Sequence, residues 1–146
     1  MFIGEYEHSV DQKGRIIIPS KYREELGSVF YVTKGLEKCL YVYSSAEWDK
    51  IREKLEQLPI TTNKNAGAFV RFFLSGACEC EMDKQGRILI PSKLMEYAAI
   101  DKQVTCIGVS TRLELWSTPN WNDYTSQDCL SPEEMASNME MIGLRF

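Results

Sequence analysis

The chain has 146 residues, 44% hydrophobic and 26% charged, with a net charge of −4 at pH 7. That balance fits an ordinary globular protein with a real core, and no apolar run approaches the roughly 18 residues that a bilayer-spanning helix needs. The opening Met1-Phe2-Ile3-Gly4-Glu5 has neither the basic nor the long apolar part of an export signal, so a soluble cytoplasmic protein is expected.

In chain order, residues 2–10 read as a first strand. Asp11-Gln12-Lys13-Gly14 follows as a turn, in which Asp11 accepts backbone N–H bonds and Gly14 supplies a positive φ. Arg15 is then the first residue beyond the turn. Ile16-Ile17-Ile18 is β-branched throughout and reads as a strand buried on both faces, which Pro19 ends. Ser20 is the expected N-cap of a short helix through Leu26, with Gly27 as its stop. Residues 29–33 and 40–43 are two further strands, joined by the Gly35 loop into a hairpin.

Ser44 to Glu47 is a capping box. Trp48, Ile51, Leu55 and Leu58 then recur at helical spacing until Pro59, a stripe expected to pack in the core. Residues 60–65 form a polar connector. Residues 66–74 form a second helix whose Phe69, Phe72 and Phe73 must close the core between the halves or meet another subunit.

The turn then recurs. Asp83-Lys84-Gln85-Gly86-Arg87-Ile88-Leu89-Ile90-Pro91-Ser92-Lys93 repeats the stretch from Asp11 to Lys21 seventy-two residues downstream, with eight of eleven positions identical. The repeat extends outward. Gly4 aligns with Gly76, Gly35 with Gly108, Tyr43 with Trp116 and Trp48 with Trp121. Neither copy, at about 45 residues, buries enough surface to stand alone. The expectation is a pseudo-twofold pair sharing one β core, with the two Gly-Arg turns side by side. At the tail, Ser131-Pro132-Glu133-Glu134 starts a helix with Met135, Met139 and Ile142 on one side, able to dock within the chain or on a neighbour.

Five cysteines, Cys39, Cys78, Cys80, Cys106 and Cys129, are expected as free thiols. Cys78 and Cys80 would share one face of a strand. With His8 the sole histidine and no zinc-type spacing, no metal or other cofactor is expected. Catalysis is not expected either: there is no Gly-rich phosphate loop, no HExxH and no nucleophile elbow.

Charge is unevenly spread. Residues 11–23 carry +3 and residues 83–93 carry +2, so the rest of the chain carries −9. Positive charge focused on the repeated turn of an acidic body suits a polyanion arriving at one face. Arginine's rigid fork fits guanine or phosphate, and a lysine on a turn fits phosphate. Lys13, Arg15, Lys84 and Arg87 are therefore the expected DNA-binding residues. Asp11, Gly14, Asp83 and Gly86 are expected to build the turns, the aspartates bracing their arginines.

The doubled Asp-x-x-Gly-Arg-Ile-x-Ile-Pro pattern resembles the SpoVT/AbrB superfamily of DNA-binding proteins. Two such units in a chain of this length resemble the MraZ family of bacterial regulators, over about residues 1–125. The resemblance implies an α+β fold: a pseudo-twofold swapped-hairpin AbrB-like β-barrel from two tandem β-β-α-β-β units, with flanking helices. The units span 5–47 and 76–119, with a helical connector at 48–75 and a C-terminal helical segment at 120–146. It implies a cytoplasmic, nucleoid-associated regulator of the division and cell-wall gene cluster. Such a regulator would bind double-stranded DNA at short direct repeats upstream of its own operon, as a ring-like homo-oligomer. The alternative is an antitoxin-like or protein-interaction module of the same superfamily. One difference separates the copies: the first turn reads Gln12-Lys13 and the second Lys84-Gln85, so the lysines project differently.

Overall fold

The computed structural model describes residues 1–128 and 131–145. Its first half runs β1 (Glu5–Ser9), β2 (Arg15–Ile17), α1 (Ser20–Leu26), β3 (Val29–Lys34), β4 (Leu40–Ser44) and α2 (Ser45–Glu56). After α3 (Lys64–Ser75) the same series returns as β5 (Cys78–Glu81), β6 (Arg87–Leu89), α4 (Ser92–Tyr97), β7 (Gln103–Val109), β8 (Arg112–Ser117) and α5 (Thr118–Asp123). A π-helical turn at Tyr124–Asp128 continues α5, and α6 spans Pro132–Met141.

Six strands form one antiparallel sheet in the order β1-β7-β8-β4-β3-β5. The order reads the same from either end once each strand is exchanged for its repeat counterpart. The halves also trade their opening strands. β1 pairs with β7, from Glu5 opposite Ile107 to Ser9 opposite Gln103, and β5 pairs with β3, from Val29 opposite Glu81 to Val32 opposite Cys78. At the centre β4 meets β8, with Leu40 opposite Leu115 and Val42 opposite Leu113.

The expected barrel is not closed. The large sheet stays open, with β1 and β5 as its edges, while β2 and β6 pair only with each other as a separate ribbon. The reason is local. Each ribbon strand is three residues long, begins at the Gly-Arg step and runs into a proline two residues past its end, Pro19 or Pro91. Proline cannot donate to a ladder, so neither strand can extend toward an edge.

Alternation along the central strands makes two layers. Leu40, Val42, Leu113 and Leu115 join Ile16, Ile18, Ile88 and Ile90 from the ribbon, with Tyr22, Leu26 and Leu94 from α1 and α4, in one core cluster. Tyr41, Tyr43 and Trp116 join a second cluster with Trp48 and Leu55 of α2 and Val70 and Phe73 of α3. The phenylalanines of α3 thus close the core within the chain: Trp48 stacks on Phe73 at 5.9 Å and on Tyr31 at 5.1 Å, while Phe72 meets Tyr97 edge-on at 5.9 Å.

Smaller differences from the sequence reading have simple causes. Ile17 is only partly buried, because it shares the outer face of β2 with Arg15. Pro19, not Ser20, holds the N-cap position of α1, and no side chain caps that helix. Ser44 and Ser131 do cap, accepting from the N–H groups of Glu47 and Glu134. α6 has no buried residue, and Met139 is its one partly buried position among the described residues. Cys39, Cys80 and Cys106 are buried free thiols and Cys78 is half-buried; Cys129 lies outside the described residues. No helix among the described residues is long and apolar enough to cross a membrane.

Candidate nucleic-acid interface

Both turns are built alike. Asp11 Oδ1 accepts from the backbone N–H groups of Lys13 at 2.9 Å and Arg15 at 2.8 Å, and Oδ2 accepts from Arg15 Nε at 2.7 Å. Asp83 Oδ1 accepts from the N–H groups of Gln85 at 2.9 Å and Arg87 at 2.8 Å, and Oδ2 from Arg87 Nε at 2.8 Å. Gly14 and Gly86, each at φ +79°, donate back to the Asp11 and Asp83 carbonyls. A side chain with a Cβ is strained at that φ, so glycine is the economical residue at both places. The backbone donor of the arginine is the largest cause holding each aspartate below its ordinary pKa.

The ribbon sets the arginines in register. Arg15 lies opposite Leu89, Ile16 opposite Ile88 and Ile17 opposite Arg87. Ile16 and Ile88 are buried at the middle pair, so Arg15, Ile17, Arg87 and Leu89 share the outer face. The two arginines are diagonal neighbours, with Cα atoms roughly 7–8 Å apart by sheet geometry. Each guanidinium is fixed through Nε, and among the described residues no other side chain engages its terminal nitrogens. These side chains are 27% and 31% exposed, so each presents a braced planar fork at the surface. Lys13 and Lys84 are exposed at the turn tips but are not related by the repeat: Lys13 aligns with Gln85 and Lys84 with Gln12.

A fifth cation, which the motif alone does not identify, lies against one of these turns. Arg23 reaches from α1 to the opposite turn, donating from Nε to the Ile18 carbonyl at 2.8 Å. Its guanidinium lies where a Cβ on Gly86 would fall, 2.2 Å from Cζ. The Ile18 N–H donates to the Gly86 carbonyl at 2.8 Å, tying α1's lead-in to that turn. The repeat counterpart of Arg23 is Met95. On that side a Cβ on Gly14 would meet nothing within 4 Å, and an open cleft of about 600 Å³ runs between Gly14, Leu89, Pro91 and Met95. The available signal was the local charge count, in which Arg23 stands as the last cation of the first basic stretch; only the tertiary crossing shows which turn it serves.

The family whose model matches is described as "MraZ protein, putative antitoxin-like", over residues 1–71 and 73–141. The chain belongs to the MraZ family. A relative from Caldanaerobacter subterraneus subsp. tengcongensis is 58% identical, one from Alkaliphilus oremlandii 57% and one from Acetivibrio thermocellus 55%. Each alignment covers 99% of this chain and 100% of the relative, and each relative is named transcriptional regulator MraZ. The two MraZ matches meet at residue 72, inside α3, so each takes in one Asp-turn and one half of the ribbon.

Proposed function

We propose that this chain is a sequence-specific DNA-binding transcriptional regulator. It binds short direct repeats upstream of its own operon, in the division and cell-wall gene cluster, as a ring-like homo-oligomer. The observation that carries the reading is the outer face of the β2–β6 ribbon, where Arg15 and Arg87 stand braced and diagonal with Lys13 and Lys84 at the turn tips. Nε-anchored arginines keep their terminal N–H donors for guanine or phosphate, and their bracing lowers the entropy lost on contact. The names of the relatives support the regulatory role. The traded strands β1 and β5 support units at 5–47 and 76–119 that form one swapped-hairpin body. The segments 48–75 and 120–146 are then the connector and tail.

Four to five cations per chain give modest affinity at physiological salt, so several copies on successive repeats supply avidity. The test is a salt titration of binding to the DNA upstream of its own gene. Arg15→Ala and Arg87→Ala should each weaken binding by about 1–3 kcal/mol. If both variants bind as the parent does at every salt concentration, the face is misassigned. A monomeric mass by light scattering on DNA-free protein would remove the ring.

A second reading, an antitoxin-like or partner-binding module, draws on α6, which exposes Met141, has Ile142 exposed just past its end and holds no buried residue. A protein co-purifying in stoichiometric amount and lost on deletion of α6 would favour it.

A further inference from the structure

We propose that Cys78 and Cys80 form a dithiol modification site for a small hydroperoxide, in which Cys78 is oxidised first and Cys80 closes an intrastrand disulfide. The two Sγ atoms are 3.5 Å apart on one face of β5. Glu79 between them belongs to the opposite face and accepts from the Tyr31 hydroxyl at 3.0 Å, so no carboxylate intervenes.

Access is one-sided. Cys78 is half-buried and lines an open cleft of about 830 Å³ with Lys34, Ser75, Lys93, Glu96 and Tyr97. Lys34 is held in that wall, its ammonium 5.2 Å from the Phe72 ring centre and 5.9 Å from that of Tyr97. Cys80 is 7% exposed and sits behind Cys78 in the core. An oxidant in the cleft therefore meets Cys78 and cannot meet Cys80 first.

Reactivity is divided the same way. The hydrogen bond between the two sulfurs holds the Cys78 thiol below its ordinary pKa and pushes Cys80 up. The thiolate is the nucleophile, so Cys78 is the reactive member. Cys39 and Cys106 are buried, and desolvation pushes both up to about 12. They serve as internal controls.

The chemistry balances without a cofactor. The Cys78 thiolate attacks the peroxide O–O bond, forming an S–O bond and releasing hydroxide, or an alkoxide from an organic peroxide. The resulting sulfenic acid is attacked by the Cys80 sulfur; the S–S bond forms, the S–O bond breaks, and the Cys80 proton leaves with the hydroxyl as water. Two electrons pass from the thiol pair to the peroxide. On a strand, residues two apart have Cα atoms roughly 6.7 Å apart, near the upper limit of disulfide geometry, so β5 must shorten as the bond closes. β5 is a four-residue edge strand whose one ladder partner among the described residues is β3, so it can yield. A strained disulfide of this kind is readily reduced again.

The test uses the full-length reduced protein, a stoichiometric dose of hydrogen peroxide and alkylation of the remaining thiols, read by peptide mass. It does not depend on DNA binding. The parent should lose two hydrogens in the peptide holding Cys78 and Cys80, with Cys39 and Cys106 still alkylated, and dithiothreitol should restore both thiols. Cys80→Ser, and Cys80→Ala as a second variant for this core position, should hold Cys78 as a sulfenic acid that dimedone captures. In a Cys129→Ser background, Cys78→Ser should consume peroxide at least about tenfold more slowly, since the thiols left, Cys39, Cys80 and Cys106, are buried. Full alkylation of Cys78 and Cys80 after peroxide, or peroxide consumption by Cys78→Ser in that background at the parental rate, overturns the proposal.

Discussion

Asp11 and Asp83 each receive three N–H donors on one carboxylate, two from the backbone and one from an arginine. Because each titrates below the ordinary 3.8, the bracing is fully present above that value and is lost as pH falls through the lower folded pKa. The amide resonances of Lys13, Arg15, Gln85 and Arg87 should hold steady between about pH 7 and 5 and move only below about pH 4. A transition centred near neutrality would contradict the bonding described. The two glycines offer a sharper comparison. Gly14→Ala and Gly86→Ala share the same φ and should each lower stability by about 1–2 kcal/mol. Only Gly86→Ala drives its new methyl into Arg23, so only it should displace that guanidinium and weaken DNA binding beyond the backbone effect. Thermal melts and binding isotherms on both variants separate the two terms. Asp, Gly and Arg at fixed spacing made the turn legible, because turn chemistry is local. Arg23 was not legible, because its partner turn lies more than sixty residues away.

The helices are legible where their signals are local. The Ser44 cap is present, and Ser44→Ala should lower unfolding free energy by about 1 kcal/mol in urea titrations. Ser20 looked equally suitable, yet the chain enters α1 straight from Pro19. On β8, Arg112, Glu114 and Trp116 alternate onto one face. Glu114 accepts from Arg112 Nε at 3.0 Å and Nη2 at 2.6 Å and from Trp116 Nε1 at 3.0 Å, while Arg112 lies over the Tyr41 ring at 3.9 Å. A charged pair in a strand reads as solvent-facing; here Trp116 and the Tyr41 ring close on it. Glu114 is buried while the Arg112 side chain is 27% exposed, which places the pair between buried and surface ion pairs. Glu114→Ala should therefore destabilise by roughly 2–3 kcal/mol, with a lowered urea midpoint and an unchanged m-value.

At the scale of the whole molecule, the repeat foretold a shared core but not how the halves share it. Strand exchange depends on pairings such as Tyr6 with Cys106, one hundred residues apart, which no local pattern encodes. The same exchange makes the halves interdependent. Residues 1–75 or 76–146 expressed alone should show little of the parent's far-ultraviolet dichroism, since each lacks the edge strand and ribbon partner that the other supplies.

The repeat is imperfect where Arg23 covers Gly86 and Met95 leaves Gly14 open. A reader with true twofold symmetry would seat equally well either way round on a duplex and would suit a palindrome. Arg23 marks one end of the ribbon, so the face has a front and a back. Under the function proposed above, successive copies would lie along DNA all pointing the same way, which is the orientation that head-to-tail sites demand.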